Sequence, residues 1–308
     1  MEAPINGVYA ASLTPLTSKL EPNIPELIDH VLWLLDSGAD GVALLGSTGE
    51  ANSMTLEQRL SIIKKSANKL PKQKLIIGTG SCALGEAIKL TQTCIDEGFL
   101  SVLLLPPFYY KPQSDENILR FFSELISIVN EPKLRIIFYN FPKLTGYNFS
   151  LNILKEFKKE FGNISAGIKD SSGDWSNIVN LVNNIPDFKV YAGNEKFLLD
   201  TLKIGGSGCI SASANLTAIN CGRVFKAWKN KKNKKAMEDQ QSLSILRGVL
   251  ENHSFVSGLK SLFASKSNVE GWENMLPPFS PLLKKQLLSI QLQLKEVGFD
   301  LENIVRKN

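Results

Sequence analysis

Lys169 closes the apolar run Ile164-Ser165-Ala166-Gly167-Ile168 and is followed by Asp170 and the turn-forming Ser171-Ser172-Gly173-Asp174. Lysine is among the side chains least often buried. One that ends an interior-looking strand either snorkels to solvent or is kept inside for its chemistry. Burial disfavours the ammonium form, and the neutral amine can attack a ketone to form a Schiff base.

Other segments could supply the remaining groups. Gly46-Ser47-Thr48-Gly49-Glu50 places two hydroxyls between glycines, with backbone N–H groups free to meet a carboxylate or another small anion. The same segment can equally be read as a glycine-rich turn before a helix. Tyr109 and Tyr110 follow one predicted strand, and Tyr139 ends the next. A phenol there can relay a proton or donate to a developing oxyanion, or simply fill a loop. Gly193-Asn194-Glu195 and Ser211-Ala212-Ser213-Ala214-Asn215 offer further polar groups.

These groups meet only if the chain brings strand ends to one face. Strand-like runs are predicted at 7–14, 41–45, 75–78, 101–105, 134–139, 164–169, 188–192 and 208–211. Helix-like segments alternate with them at 24–37, 55–70, 84–97, 117–129, 151–157, 175–184, 196–203 and 218–228. Thr55 with Gln58 reads as a capping box. Eight βα units predict an α/β fold, a closed (β/α)8 TIM barrel whose active site lies at the C-terminal strand ends. A doubly wound open sheet could use the same alternation, but no GxGxxG follows the first strand. Beyond residue 235 the strand signal stops. Segments 237–251, 256–266 and 281–297 read as helices, with Pro277-Pro278 in a loop, so the chain divides into a barrel at 1–235 and a C-terminal helical extension at 236–308.

Composition narrows the function classes. With 308 residues, 43% hydrophobic and 21% charged, the chain reads as an ordinary globular protein with no membrane-length apolar run. Met1-Glu2-Ala3-Pro4 does not resemble a signal peptide, so a cytoplasmic location is expected. Cys82, Cys94, Cys209 and Cys221 have no metal-cage spacing, and His30 and His253 read as packed or surface residues, so no metal and no cofactor is expected. The net charge of +5 owes much to the five lysines in residues 229–235. Without interleaved aromatics, that run is read as a solvated helix end and loop rather than a nucleic-acid site.

Taken in order, the segments at 46–50, 139–142 (Tyr139-Asn140-Phe141-Pro142), 167–170 and 205–208 resemble the motifs of the N-acetylneuraminate lyase and dihydrodipicolinate synthase family of pyruvate-dependent class I aldolases. The resemblance covers essentially the whole chain. It implies Lys169 as the Schiff-base lysine and Tyr139 as the catalytic acid/base. Ser47 and Thr48 would hold the 2-oxo acid carboxylate, Ile210 would offer a backbone carbonyl, and Tyr109 would complete a proton relay, across a subunit boundary in some relatives. It also implies a homo-oligomer, a tetramer or dimer, acting on pyruvate and an aldehyde. Gly193, Asn194, Glu195, Ser171 and Lys143 complete the expected substrate-binding set.

The branch within the family is less plain. The synthase branch places an arginine two residues after the proline of its tyrosine motif, where this chain has Leu144 beside Lys143, and a lysine lacks the bidentate fork. The sialic acid lyase branch presents more acidic residues than Gly193-Asn194-Glu195-Lys196 and a Ser-Thr-Tyr run where Ala212-Ser213-Ala214 stands. Residues 169–174 resemble members acting on 2-keto-3-deoxy sugar acids or 4-hydroxy-2-oxoglutarate. The leading expectation is therefore reversible cleavage of such an acid to pyruvate and an aldehyde. Dihydrodipicolinate synthase follows as the alternative, then N-acetylneuraminate lyase, a sugar-acid dehydratase and a non-catalytic 2-oxo-acid sensor.

Overall fold

The computed structural model describes residues 5–304 except 112 and 268. Eight parallel strands close into one barrel in sequence order: β1 (Gly7–Ala11), β2 (Gly41–Leu44), β3 (Leu75–Gly78), β4 (Ser101–Leu104), β5 (Arg135–Asn140), β6 (Ser165–Asp170), β7 (Lys189–Ala192) and β8 (Gly208–Ser211). Between and after them run α1 (Ile24–Asp36), α2 (Leu56–Ser66), α3 (Leu84–Asp96), α4 (Asp115–Val129), α5 (Pro142–Thr145), α6 (Leu151–Phe161), α7 (Trp175–Asn184), α8 (Leu198–Lys203) and α9 (Ala214–Lys229). Three further helices, α10 (Asn233–Leu250), α11 (Phe255–Ala264) and α12 (Lys284–Glu296), complete the described chain.

The expected TIM barrel is therefore present. β3, β8 and α7 have the bounds predicted from their flanking turn residues, and Thr55 forms its capping box with Gln58. β1 stops at Ala11 rather than Thr14 because Thr14 turns away to serve other partners, its Oγ1 donating to Gly49 O (2.9 Å) and its carbonyl accepting from Lys260 Nζ (2.9 Å). α9 begins at Ala214 rather than at 218, and its backbone is non-helical at Thr217. The lysines of residues 229–235 are exposed at the α9–α10 junction. Among the described residues, no helix is long and apolar enough to cross a membrane.

Alternation along each strand sorts side chains between two buried layers. Val8 and Ala10, Val42 and Leu44, and Ile136 and Phe138 face the helices, whereas Tyr9, Ala43, Ile76, Leu103, Ile137, Tyr191 and Ile210 fill the barrel. Tyr9 and Tyr191 meet edge-on (5.6 Å) and bond the N–H and C=O of Ile5 (3.0 and 2.7 Å), closing the N-terminal end. In β6 the alternation breaks. Ile136 pairs with Ser165 but Ile137 pairs with Gly167, so Ala166 is the extra residue of a bulge. Ala166 lies in the barrel interior and Ile168 in the outer layer, although they are two residues apart. The bulge thus shifts the phase, and Lys169 points inward. Gly167 accommodates the step because a Cβ there would lie 2.2 Å from Lys189 O.

The C-terminal helices have an apolar cluster of their own that reaches Leu13 after β1 and Leu216 in α9. At its edge sits His30 of α1, ringed by Trp33, Phe263 and Trp272. Asn215 donates its amide nitrogen to the carbonyls of Ala11 and Ala212 (2.7 and 2.6 Å), which leaves Oδ1 to accept from His30 Nε2 (2.9 Å). His30 is therefore a packed core residue, and burial pushes its imidazolium down from 6.5 to about 4 despite the Asn215 bond.

The unfolded chain consequently takes up a proton near pH 6.5 that the folded one refuses until about pH 4, so the stability fades as pH falls through that window. Urea unfolding should lose about 3 kcal/mol between those limits on account of this residue. His30→Gln, compared over the same pH series, should flatten that part of the slope.

Candidate active site

A cavity of about 470 Å³ opens at the C-terminal ends of the strands. Lys169 and Tyr139 form part of its wall, with Ser47 and Thr48 beside them and Leu144, Arg247 and Phe255 also lining it. Tyr139 of β5 and Lys169 of β6 are direct cross-strand partners, and both are 4% exposed. Lys169 Nζ lies 4.2 Å from the centre of the Tyr139 ring, so the amine is held against the phenol in the buried wall of the cavity.

The β6 end is fixed by Asp170, which faces away from the barrel axis. Its carboxylate accepts from Ser172 N (2.7 Å), Asn177 Nδ2 (2.6 Å) and Asn140 Nδ2 (3.3 Å). Asn140 Oδ1 in turn accepts from Phe149 N (3.2 Å), tying the ends of β5 and β6 to the loop before α6. At the β7 end, Gly193 N donates to Asp170 O (2.6 Å), and a Cβ on Gly193 would lie 2.1 Å from Ser171 Oγ. Only a glycine lets these two loops approach so closely.

The loop after β2 is a compact turn: Gly49 N and Glu50 N donate to Gly46 O (3.1 Å) and Ser47 O (3.2 Å). Those two N–H groups are spent within the turn. Ser47 Oγ is buried without a hydrogen-bond partner among the described residues and borders the cavity. Glu50, in a left-handed conformation, turns its fully buried carboxylate toward the C-terminal helices. There it accepts from Lys260 Nζ (2.7 Å) and Leu276 N (2.6 Å). Burial pushes the Lys260 ammonium down, and Glu50 beside it pulls it back up.

A second buried carboxylate lies under the opposite wall. Glu195 accepts from the hydroxyls of Ser211 and Ser213 and from Arg247 Nη1 (2.8 Å). Arg247 comes from α10 and spreads its guanidinium 4.3 Å above the Phe255 ring.

The sequence-predicted residues separate accordingly. Lys169, Tyr139, Ser47, Thr48, Lys143, Ser171, Gly193 and Asn194 line one cavity. Tyr109 does not, being 75% exposed and edge-on to Tyr110. Ile210 packs its side chain inside the barrel below the cavity, and Glu195 is sealed beneath Arg247. Of Ser211 to Asn215, only Ala212 reaches the cavity, because Ser211 and Ser213 serve Glu195 and Asn215 serves His30. Sequence reasoning missed Arg247, Glu251 and Phe255, which belong to the extension rather than to any strand end. A single arginine within the apolar run Ile245-Leu246-Arg247-Gly248-Val249-Leu250 was the only local signal for this wall.

The sequence model of the dihydrodipicolinate synthetase family matches residues 4–297. The chain belongs to that family. The protein is accordingly a pyruvate-dependent carbon–carbon lyase of the class I aldolase type. Its relatives within the family are divided by activity. It is 30% identical over 284 residues, covering 89% of this chain and 91% of the relative, to YagE of Escherichia coli K12, named a putative 2-dehydro-3-deoxy-D-gluconate aldolase. It is 33% identical over 213 residues, 69% of this chain and 72% of the relative, to a 4-hydroxy-tetrahydrodipicolinate synthase of Methanococcus aeolicus. A crystal structure of YagE in complex with pyruvate superposes with a TM-score of 0.89 at 27% identity, covering 97% of this chain and all of that one.

Because Glu50 is fully buried, Lys260→Met should strand its carboxylate and lower stability by about 3–5 kcal/mol. Adding Glu50→Gln should recover much of that loss. Urea midpoints of the single and double variants check this coupling, with an unrecovered double variant arguing that the packing of Lys260, not its charge, matters.

Proposed function

We propose that the protein reversibly cleaves a 2-keto-3-deoxy sugar acid, or a substrate of the 4-hydroxy-2-oxoglutarate type, to pyruvate and an aldehyde. The observation that carries the reading is the buried Lys169 amine against Tyr139 in a cavity that also presents Ser47 and Thr48. Ser47 and Thr48 hold the substrate carboxylate through hydroxyl and backbone N–H groups. Lys169 Nζ attacks the ketone carbon, and loss of water leaves a protonated imine. That imine draws the electron pair of the breaking C3–C4 bond into an enamine as the C4 hydroxyl gives up its proton and the aldehyde departs. Tyr139 carries protons in these steps. Protonation at C3 and hydrolysis release pyruvate and regenerate the lysine.

Leu144 supports the sugar-acid branch, since it stands half-exposed in the cavity wall where a carboxylate-holding arginine would be expected of a synthase. Lys143 on the same wall is the observation favouring the second reading, condensation of pyruvate with aspartate semialdehyde. The exposed Tyr109 and Tyr110 pair suits contact with a second copy of the chain, in keeping with a homo-oligomer. The extension from residue 236, with its own apolar cluster, is taken as a unit that completes the barrel's site.

Incubation with pyruvate and borohydride, followed by peptide mass spectrometry, should place a single adduct on Lys169 and none in Lys169→Ala. Pyruvate release from 2-keto-3-deoxygluconate, compared with condensation on aspartate semialdehyde, separates the two branches. Activity on the semialdehyde alone would overturn the first.

A further inference from the structure

Arg247 is only 7% exposed, yet it borders the cavity from α10. Its Nη1 donates to Glu195 Oε2 (2.8 Å), Ser213 Oγ (2.8 Å) and Ser211 Oγ (3.1 Å), and its Nε lies 3.4 Å from Glu251 Oε2. The Phe255 ring supports one face of the guanidinium. This is a pre-set side chain, gripped at Nη1 and Nε, and among the described residues none of its hydrogen bonds uses Nη2. Glu251, which also lines the cavity, is itself paired with Lys196.

Charge decides what such a wall can receive. The Arg247 cation is matched by Glu195, and Glu251 by Lys196, so this part of the cavity carries no unanswered positive charge. A second carboxylate arriving here would surrender hydration to donors already committed to Glu195 and Glu251. A hydroxyl needs no counter-charge. It can accept from Nη2 and donate to a free lone pair of Glu251, whose carboxylate has about four acceptor sites. We infer that Arg247, held by Glu195, is the specificity residue for the aldehyde half of the substrate, and that this half is a neutral, polyhydroxylated chain.

The inference rests on the aldolase reading above and deepens it. The test compares addition of pyruvate to D-glyceraldehyde, to propanal and to succinic semialdehyde, read as kcat/KM for each aldehyde. Arg247→Lys keeps a cation on Glu195 but loses the planar fork. The expected result is a preference of the unaltered enzyme for glyceraldehyde over both other aldehydes. The glyceraldehyde-to-propanal ratio should fall about 10- to 100-fold in Arg247→Lys, the effect of losing a hydrogen bond from a charged donor. The double variant Glu195→Gln/Arg247→Met removes acid and cation together and should lose the preference likewise, which covers the case of Arg247→Lys failing to fold.

Borohydride trapping of pyruvate on Lys169 is read in parallel. A normal adduct with an unchanged ratio in the folded variants, or with succinic semialdehyde preferred by the unaltered enzyme, overturns the inference alone. Absence of the adduct from the unaltered enzyme overturns the aldolase reading and this inference with it.

Discussion

Two carboxylates, Glu50 and Glu195, are driven fully into the protein just beyond β2 and β7, and neither can remain there charged without a partner. Both partners come from the C-terminal extension: Lys260 from α11 and Arg247 from α10. With the extension docked but Lys260 or Arg247 replaced by an apolar residue, each acid would be buried without its counter-ion. The ion pairs therefore set where the extension docks, and docking there makes it a wall of the cavity. The loop bearing Ser47 and Thr48 is held from behind by the first pair, and the polar floor after β8 is organised by the second.

This arrangement divides the work between two parts of the chain. In the proposed reaction, strand ends supply the groups that meet the reacting carbon, and a closed sheet fixes them with little freedom. The extension supplies Arg247, Glu251 and Phe255 to the wall of the same cavity. Relatives that bear different names, such as the putative aldolase YagE and the Methanococcus aeolicus synthase, fit a scaffold in which reaction type and substrate choice reside on different segments.

The barrel was legible in the sequence because parallel strands buried on both faces read as short apolar runs between Gly, Pro and Asn punctuation. That is why β3, β8 and α7 could be bounded to the residue. Lys169, Tyr139, Ser47 and Thr48 were legible as site candidates because each stands at or just after a strand end. Glu195 stands there too, but its direction depends on Arg247, which lies in a helix that carries no strand-end signal. Tyr109 was legible only as a residue of a loop after a strand; that its side chain stands outside the cavity of its own chain depends on the course of that loop, which the local sequence does not reveal. His30 was readable only as packed or exposed, since its partner Asn215 is far away in the chain.

The bulge in β6 has a meaning that side-chain chemistry does not capture. A strand has only two faces, so the inward address of Lys169 is a matter of parity, set by how many residues precede it and not by what they are. Ala166 is the odd residue that sets this count. A single-residue deletion beside it would leave composition, hydrophobicity and every motif nearly intact while rotating the amine into the helical layer. β6 thus carries something like a reading frame, in which a frameshift silences the site without altering a single reactive group.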